Sequence, residues 1–316
     1  MIERPEAVRL LDVDGELDLL RTLRPLADGG GDPTWQLQRT ACGTRALRAM
    51  WTPEGAATVE ITHMGQRLAA AAVGPGAEWI LQRVDWMVGL HDDPAGFRPQ
   101  LHPVVAAAAR HMTGARFGRT LTVWDVVVPI VMGQRVTTEE ARHSWWRMVW
   151  MHGHAAPGTT EVRLPPTPRA VARLGDADWH RMGVERGRAD AVRALIRVLG
   201  AMERAVADPE PPRASRTAEL RLLAERAAGV GPWTSTGIAI AVLGDPDTVL
   251  LGDLHVPHGV CNALADEPRG EDPRMLELLE PFRPHRGRVV RLLKFSGKGA
   301  APRRGPRYTP LPIAEM

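Results

Sequence analysis

The chain has 316 residues, 44% of them hydrophobic, and a formal net charge of +3 from 40 basic and 37 acidic side chains. That length fits one large domain or two ordinary ones, and the apolar content supports a packed core and excludes global disorder. The two cysteines, Cys42 and Cys261, lack CxxC spacing, which excludes a four-cysteine zinc or iron–sulfur site built from this chain alone and points to a reducing compartment.

The N-terminal run MIERPEAVRLLDVDGELD is charged and has no long apolar core, so no signal peptide is expected. No apolar run approaches membrane-spanning length, and the expectation is a soluble cytoplasmic protein. RALRAMW, ATVEITHMG and QRLAAAAVG then alternate in part and are separated by TPEGA and a glycine, as in an antiparallel meander. AEWILQRVDWMVGL, residues 77–90, has helical spacing, with Trp79, Ile80, Val84, Met87 and Val88 on one stripe. DDPAGFRP reads as a turn or linker.

From about His102 the pattern is helical. VWDVVVPIVMGQ, TEEARHSWWRMVWM, PRAVARLG, RGRADAVRALIRVLGAMERAV, TAELRLLAERA, PWTSTGIAIAVLG, DPRMLELLEP and HRGRVVRLLKF are each bounded by Pro, Gly or Asp. Trp145, Trp146 and Trp150 are expected to pack on a core face. SGKGAAPRRGPRYTPLPIAEM closes the chain as an extended or mobile tail. The whole is a mainly α chain with an N-terminal α+β subdomain over residues 1–110, a helical domain over 111–296 and a tail over 297–316.

AAGVGPWTSTG, residues 227–237, interrupts this helical pattern with Gly-Val-Gly-Pro. A dinucleotide fingerprint needs a preceding strand and a third glycine where Thr234 stands, and here a helix precedes. Two readings remain. One is a helix–turn–helix corner with glycine as the C-cap. The other is a hairpin gripping a DNA phosphate. In that reading the side-chain-free positions Gly229 and Gly231 admit the anion, Pro232 opens the next helix, and unsatisfied N–H groups at its start attract negative charge.

Downstream residues favour the second reading. GVGPWTSTGIAIAVLGDPDTVLLGDLHVPHGV, with VWDVVVPIVMGQRVTTEEA and LPPTPRAVARLGDADWHRMGVERGRADAVRALIRV before it and LLEPFRPHRGRVVRLL after, resembles the helix-hairpin-helix DNA glycosylase superfamily and its DNA-3-methyladenine glycosylase branch. TPEGAATVEI and GPGAEWIL are similar, more loosely, to the small sheet-containing domain of that branch. The resemblance covers roughly residues 20–295 and implies a helix-hairpin-helix glycosylase fold, double-stranded DNA with damaged bases as partner, action as a monomer beside the nucleoid, and no cofactor.

It also implies roles for residues. Asp253 becomes the catalytic carboxylate, although an aspartate opening LHVPHGV is equally a helix N-cap. An anion beside the sugar stabilises the oxocarbenium charge that develops as an N-glycosidic bond breaks, and orients or deprotonates water. Trp233 stands where lyase-type relatives carry a nucleophilic lysine, which implies a monofunctional enzyme. The only lysines are Lys294 and Lys298. Trp233 is either a stacking surface for an electron-poor alkylated purine or a core residue.

Gln134 and Arg135 fall where the family inserts a side chain into the gap left by the extruded base, Arg135 being otherwise a solvated loop residue. Gly229, Val230, Gly231 and Thr234 form the backbone grip; His255 is either a phosphate contact or a partner of the catalytic residue, and Arg286 matches the closing-helix arginine that touches the DNA backbone or else forms a surface salt bridge. Trp124 falls near the base pocket or in the helix core. Gly237 and Leu254 stand where some alkylpurine members have aromatic rings, and His285 replaces another, which implies a roomier pocket or a different lesion. His258 and Cys261 have helical spacing but no second pair, so no metal is expected. Asp245 and Asp247 are turn residues.

Overall fold

The computed structural model describes residues 2–3, 5–27, 31–41, 43–209 and 214–299. Cys42 and the tail beyond residue 299 lie outside them. β1 (Ala7–Asp12), β2 (Trp35–Thr40), β3 (Gly43–Thr52), β4 (Gly55–Met64) and β5 (Arg67–Val73) form one antiparallel sheet in the order β1-β5-β4-β3-β2. The three expected strand runs are its centre. β1 and β2 are additions at the two edges, where AVRLLD alternates half-buried with exposed residues and WQLQRT is buried at Trp35 and exposed from Gln38 onward. The register sets Leu10 opposite Ala69 and Arg48 opposite Val59.

Alternation along the strands turns Ala46, Met50, Val59, Ile61, Leu68 and Ala70 to one face. That face packs against α1 (Leu19–Leu23), α2 (Ala77–Leu81) and α3 (Val84–Met87). The expected helix over 77–90 is therefore two short ones, broken at Gln82 and Arg83, although Trp79, Ile80, Val84, Met87 and Val88 are all buried as its stripe requires. α4 (Pro103–His111) leads out of this region and packs on the last helix of the chain.

Ten helices follow. They are α5 (Trp124–Met132), α6 (Thr138–His152), α7 (Pro168–Val171), α8 (Asp176–Arg181), α9 (Arg186–Ala205), α10 (Ala214–Glu225), α11 (Pro232–Leu243), α12 (Val256–Ala265), α13 (Asp272–Leu279) and α14 (Arg286–Phe295). α5, α6, α9, α10 and α11 share one core through Val127, Val131, Met148, Leu195, Leu220 and Ile238. α12, α13 and α14 close a second one around Val260, Met275, Leu279 and Val289. Trp145 belongs to the first core, but Trp146 and Trp150 do not: they are 48% and 50% exposed and face one another on the outside of α6. Residues one position apart on a helix point about 100° apart, so one of two adjacent tryptophans must leave the core face.

A polar seam joins the sheet to the helices. Arg48 lies on the inward face of β3, is 1% exposed, and pairs with Asp125 at 2.7 Å in the first turn of α5. Its other nitrogen donates to the Thr120 carbonyl, and its guanidinium stacks over Trp35. The indole N–H of Trp145 donates to Asp32. Glu203, from α9, completes the start of α5 by accepting from the amides of Val123 and Trp124. Helix N-termini need such acceptors because their first amides have no intrahelical partner.

Burial raises the Glu203 carboxyl to about 7, the two amides opposing the rise and Asp125 adding to it. Because the folded value lies above the unfolded one, stability is greatest with Glu203 protonated and is lost as pH rises from about 4.5 through 7. That loss is on the order of 3 kcal/mol. Glu203→Gln keeps the accepting oxygen and removes the charge. Denaturant titrations at pH 5 and pH 8 should show the variant stabilised by that order at the higher pH and little changed at the lower; an equal effect at both would disprove the assignment.

Candidate active site

The turn between α10 and α11 is built by glycine. Gly229, four residues past the end of α10, has φ +83°, a left-handed conformation, and a Cβ there would stand 3.1 Å from Cβ of Ala191 on α9. Val230 points inward, 9% exposed, and its N–H is spent on the Ala227 carbonyl. Gly231 is extended, open on its outer side and the N-cap of α11, with Pro232 in the first turn. Of the Gly-Val-Gly segment, then, the valine amide is not available to an anion. The amides of Gly231, Trp233 and Thr234 find no acceptor among the described residues; Gly231 is exposed and Trp233 half-buried at the positive end of α11, whereas Thr234 is buried. Ser235 braces the turn by donating to Glu225 at 2.6 Å.

The loop after α5 touches this turn. Gln134 donates through Nε2 to the Gly229 carbonyl at 3.1 Å and to Thr234 Oγ1 at 2.8 Å. Its amide thus fastens loop to hairpin and does not project. Arg135, next in sequence, is exposed and has φ +56°, an uncommon conformation for a residue with a Cβ. Arg188 of α9, nearly fully buried, supports the same loop by donating to the Met132 carbonyl.

Asp253 faces Trp233. Its Oδ2 accepts from the indole Nε1–H at 2.9 Å. Its Oδ1 accepts from the amides of His255 at 2.7 Å and Val256 at 2.8 Å, at the start of α12. The helix-cap reading of Asp253 is met by Oδ1, while Oδ2 turns toward the hairpin. Burial pushes this carboxyl up; the Trp233 N–H, the Val256 and His255 amides and the nearby His255 imidazole pull it down by more, leaving it below the usual range. It is therefore an anion at neutral pH. Trp233 is half-buried, with its ring against Gly133, where a Cβ would lie 3.2 Å from Cη2.

Other expected site residues are placed differently. Trp124 is 4% exposed and its indole donates to the Pro166 carbonyl, because it lies on the inward face of α5; it is a core residue. Leu254 is 72% exposed and projects beside Asp253 instead of lining an enclosed wall. Gly237 is not a vacancy: Ile130 and Leu250 lie at ordinary contact distance from where its Cβ would be. Arg286 is gripped through two nitrogens by Asp247, at 3.0 and 2.7 Å, so its charge is neutralised within the protein. Asp247 is thereby an ion-pair partner as well as a turn residue, while Asp245 accepts from Thr217, Thr248 and the Asp247 amide. His285 is buried against the Ala95 carbonyl. His258 bonds to the Gly270 backbone, and no group of three potential metal ligands occurs among the described residues. His255 uses its amide on Asp253 and leaves its ring exposed. Gly133 and Arg188 escaped the sequence reading; the only signal for Gly133 was a glycine ending an apolar helix.

No protein-family model matches the chain. It is 30% identical over 162 residues, half of its length, to the probable bifunctional transcriptional activator/DNA repair enzyme AlkA of Mycobacterium tuberculosis; the match spans 30% of that protein. Among solved structures, a 3-methyladenine DNA-glycosylase from Archaeoglobus fulgidus superposes with a TM-score of 0.71 at 13% identity, over 92% of this chain and 98% of that one. An 8-oxoguanine glycosylase/lyase from Clostridium acetobutylicum gives 0.67 at 13% identity, over 93% and 98%.

The hairpin makes a stability contrast measurable. Gly229→Ala forces a Cβ into a left-handed backbone against Ala191 and should cost on the order of 1–2 kcal/mol or more. Gly231→Ala meets nothing within 4 Å and should cost under about 1 kcal/mol. Thermal unfolding of both variants checks the order.

Proposed function

We propose that this chain, which has the helix-hairpin-helix DNA glycosylase fold and an AlkA-like sequence, is a monofunctional DNA glycosylase of base excision repair that hydrolyses the N-glycosidic bond of alkylated purines in duplex DNA. The observation that carries the reading is the ionised Asp253 carboxylate, bonded to the indole of Trp233, two positions after Gly231 in a turn whose free amides at Gly231 and Trp233 suit a phosphate.

The backbone at Gly231 and Trp233 holds one DNA strand without reading its sequence, with Thr234 buried behind it and fastened to Gln134. Arg135 enters the gap left by the everted nucleotide, its strained backbone aiming it outward. The bond from C1′ to the purine nitrogen breaks with its electron pair leaving on the base. Asp253 faces the positive charge this leaves on the sugar, and water adds to C1′ while giving up a proton. An N3- or N7-alkylated purine is already cationic, so departure needs no general acid. That suits a site whose indole N–H and two nearest amides are all directed at the carboxylate. Trp233 carries no amine, and both lysines are exposed at the end of α14 and beyond it, which supports hydrolysis over a Schiff-base lyase route.

Asp253→Asn should lower base release from methylated duplex DNA by on the order of a thousandfold with duplex affinity nearly unchanged. Mass spectrometry of the released bases over a panel of damaged duplexes measures this and identifies the lesion. Full activity of the variant, or release of no base by the wild type, would overturn the reading. Gly231→Asp places an anion at the phosphate grip. It should weaken binding to all duplexes alike and flatten the dependence of affinity on salt, both read by fluorescence anisotropy.

A further inference from the structure

We propose that Trp233 is a positioning residue, a strut that transmits the placement of the Gly133–Arg135 loop to the Asp253 carboxylate; this rests on the glycosylase reading for its consequence in catalysis but not for the strut itself. Asp253 is anchored unequally. Two backbone amides fix Oδ1, whereas Oδ2 takes its hydrogen bond from the indole N–H of Trp233. Without that donor the carboxylate is free to turn about the anchored oxygen, and Oδ2 is the atom directed away from the helix start.

The other edge of the same rigid ring bears on Gly133. A Cβ at that position would come within 3.2 Å of Cη2, so the ring and the loop backbone are already in contact. Gly133 is followed by Gln134, which is bonded to Gly229 and Thr234, and by the exposed Arg135. The backbone of Trp233 cannot absorb a shift of the loop, since it lies in the first turn of α11 between Pro232 and the buried Thr234. Movement of the loop, as when Arg135 enters DNA, must pass through the indole to Oδ2. The lowered titration of Asp253, to which the indole N–H contributes, agrees with this arrangement. With its N–H committed, Trp233 has only its ring face to offer a base.

Two variants separate the halves of the strut. Trp233→Phe keeps a ring against Gly133 and deletes the donor. Gly133→Ala keeps the donor and displaces the ring. For each, the titration of the Asp253 carboxyl is followed by carbon-13 NMR of the free protein, and single-turnover base release is measured on methylated duplex across pH. Both variants are expected to raise the Asp253 midpoint, to shift the acid limb of the rate profile upward with it, and to slow release by roughly tenfold to a hundredfold while duplex affinity stays within about twofold. A Trp233→Phe protein with unchanged titration and pH profile overturns the strut, as does a Gly133→Ala protein that leaves Asp253 undisturbed. If the titration moves but the wild type releases no base, the strut stands and the glycosylase reading fails. Duplex affinity near that of the wild type shows that each variant is folded.

Discussion

Three N–H groups converge on the Asp253 carboxylate, two from the start of α12 and one from the Trp233 indole, and most of the surrounding structure serves to keep them there. An ion drawn out of bulk water costs several kcal/mol unless donors replace its hydration. The donors come from two helices that meet at right places only if both connecting turns hold. One is the hairpin before α11, which needs a left-handed glycine at 229 and finds Ala191 small enough to press against. The other is the segment before α12, where the carboxylate itself ties down the first turn. The same aspartate is thus both product and cause of the local backbone.

The hairpin, the loop after α5 and the acid form one connected unit. Gln134 links loop to turn, Trp233 links turn to acid, and Arg188 supports the loop from beneath by bonding the last carbonyl of α5. In such an assembly the turn, the loop and the acid cannot be set independently of one another.

Much of the fold was legible in the sequence because its signals are local. Gly-Val-Gly-Pro announced a turn and a helix start, and alternation in RALRAMW and ATVEITHMG announced strands. The edge strands β1 and β2 were not legible, since each is half-exposed and its pairing is defined by a neighbour remote in sequence. Asp253 and Trp233 could be named from spacing to the hairpin, but their hydrogen bond could not. Nor could the fate of Arg286: a cation reads the same in sequence whether it meets a phosphate or, as here, the carboxylate of Asp247. Trp124 and Trp146 fell on opposite sides of the surface for the same reason, as helical periodicity gives a face only to within a residue. Gly133 carries no mark of its contact, because what makes it necessary is a ring from another helix.

The Arg48–Asp125 pair bears on how such a chain is inherited. It joins an inward-facing strand residue to the first turn of the helix that ends in the Gly133–Arg135 loop, with both side chains nearly out of contact with solvent. A lineage that discarded the sheet would leave the Asp125 carboxylate under α5 with the Thr122 hydroxyl but without the guanidinium that neutralises it. The strands and the helices are therefore inherited as one piece.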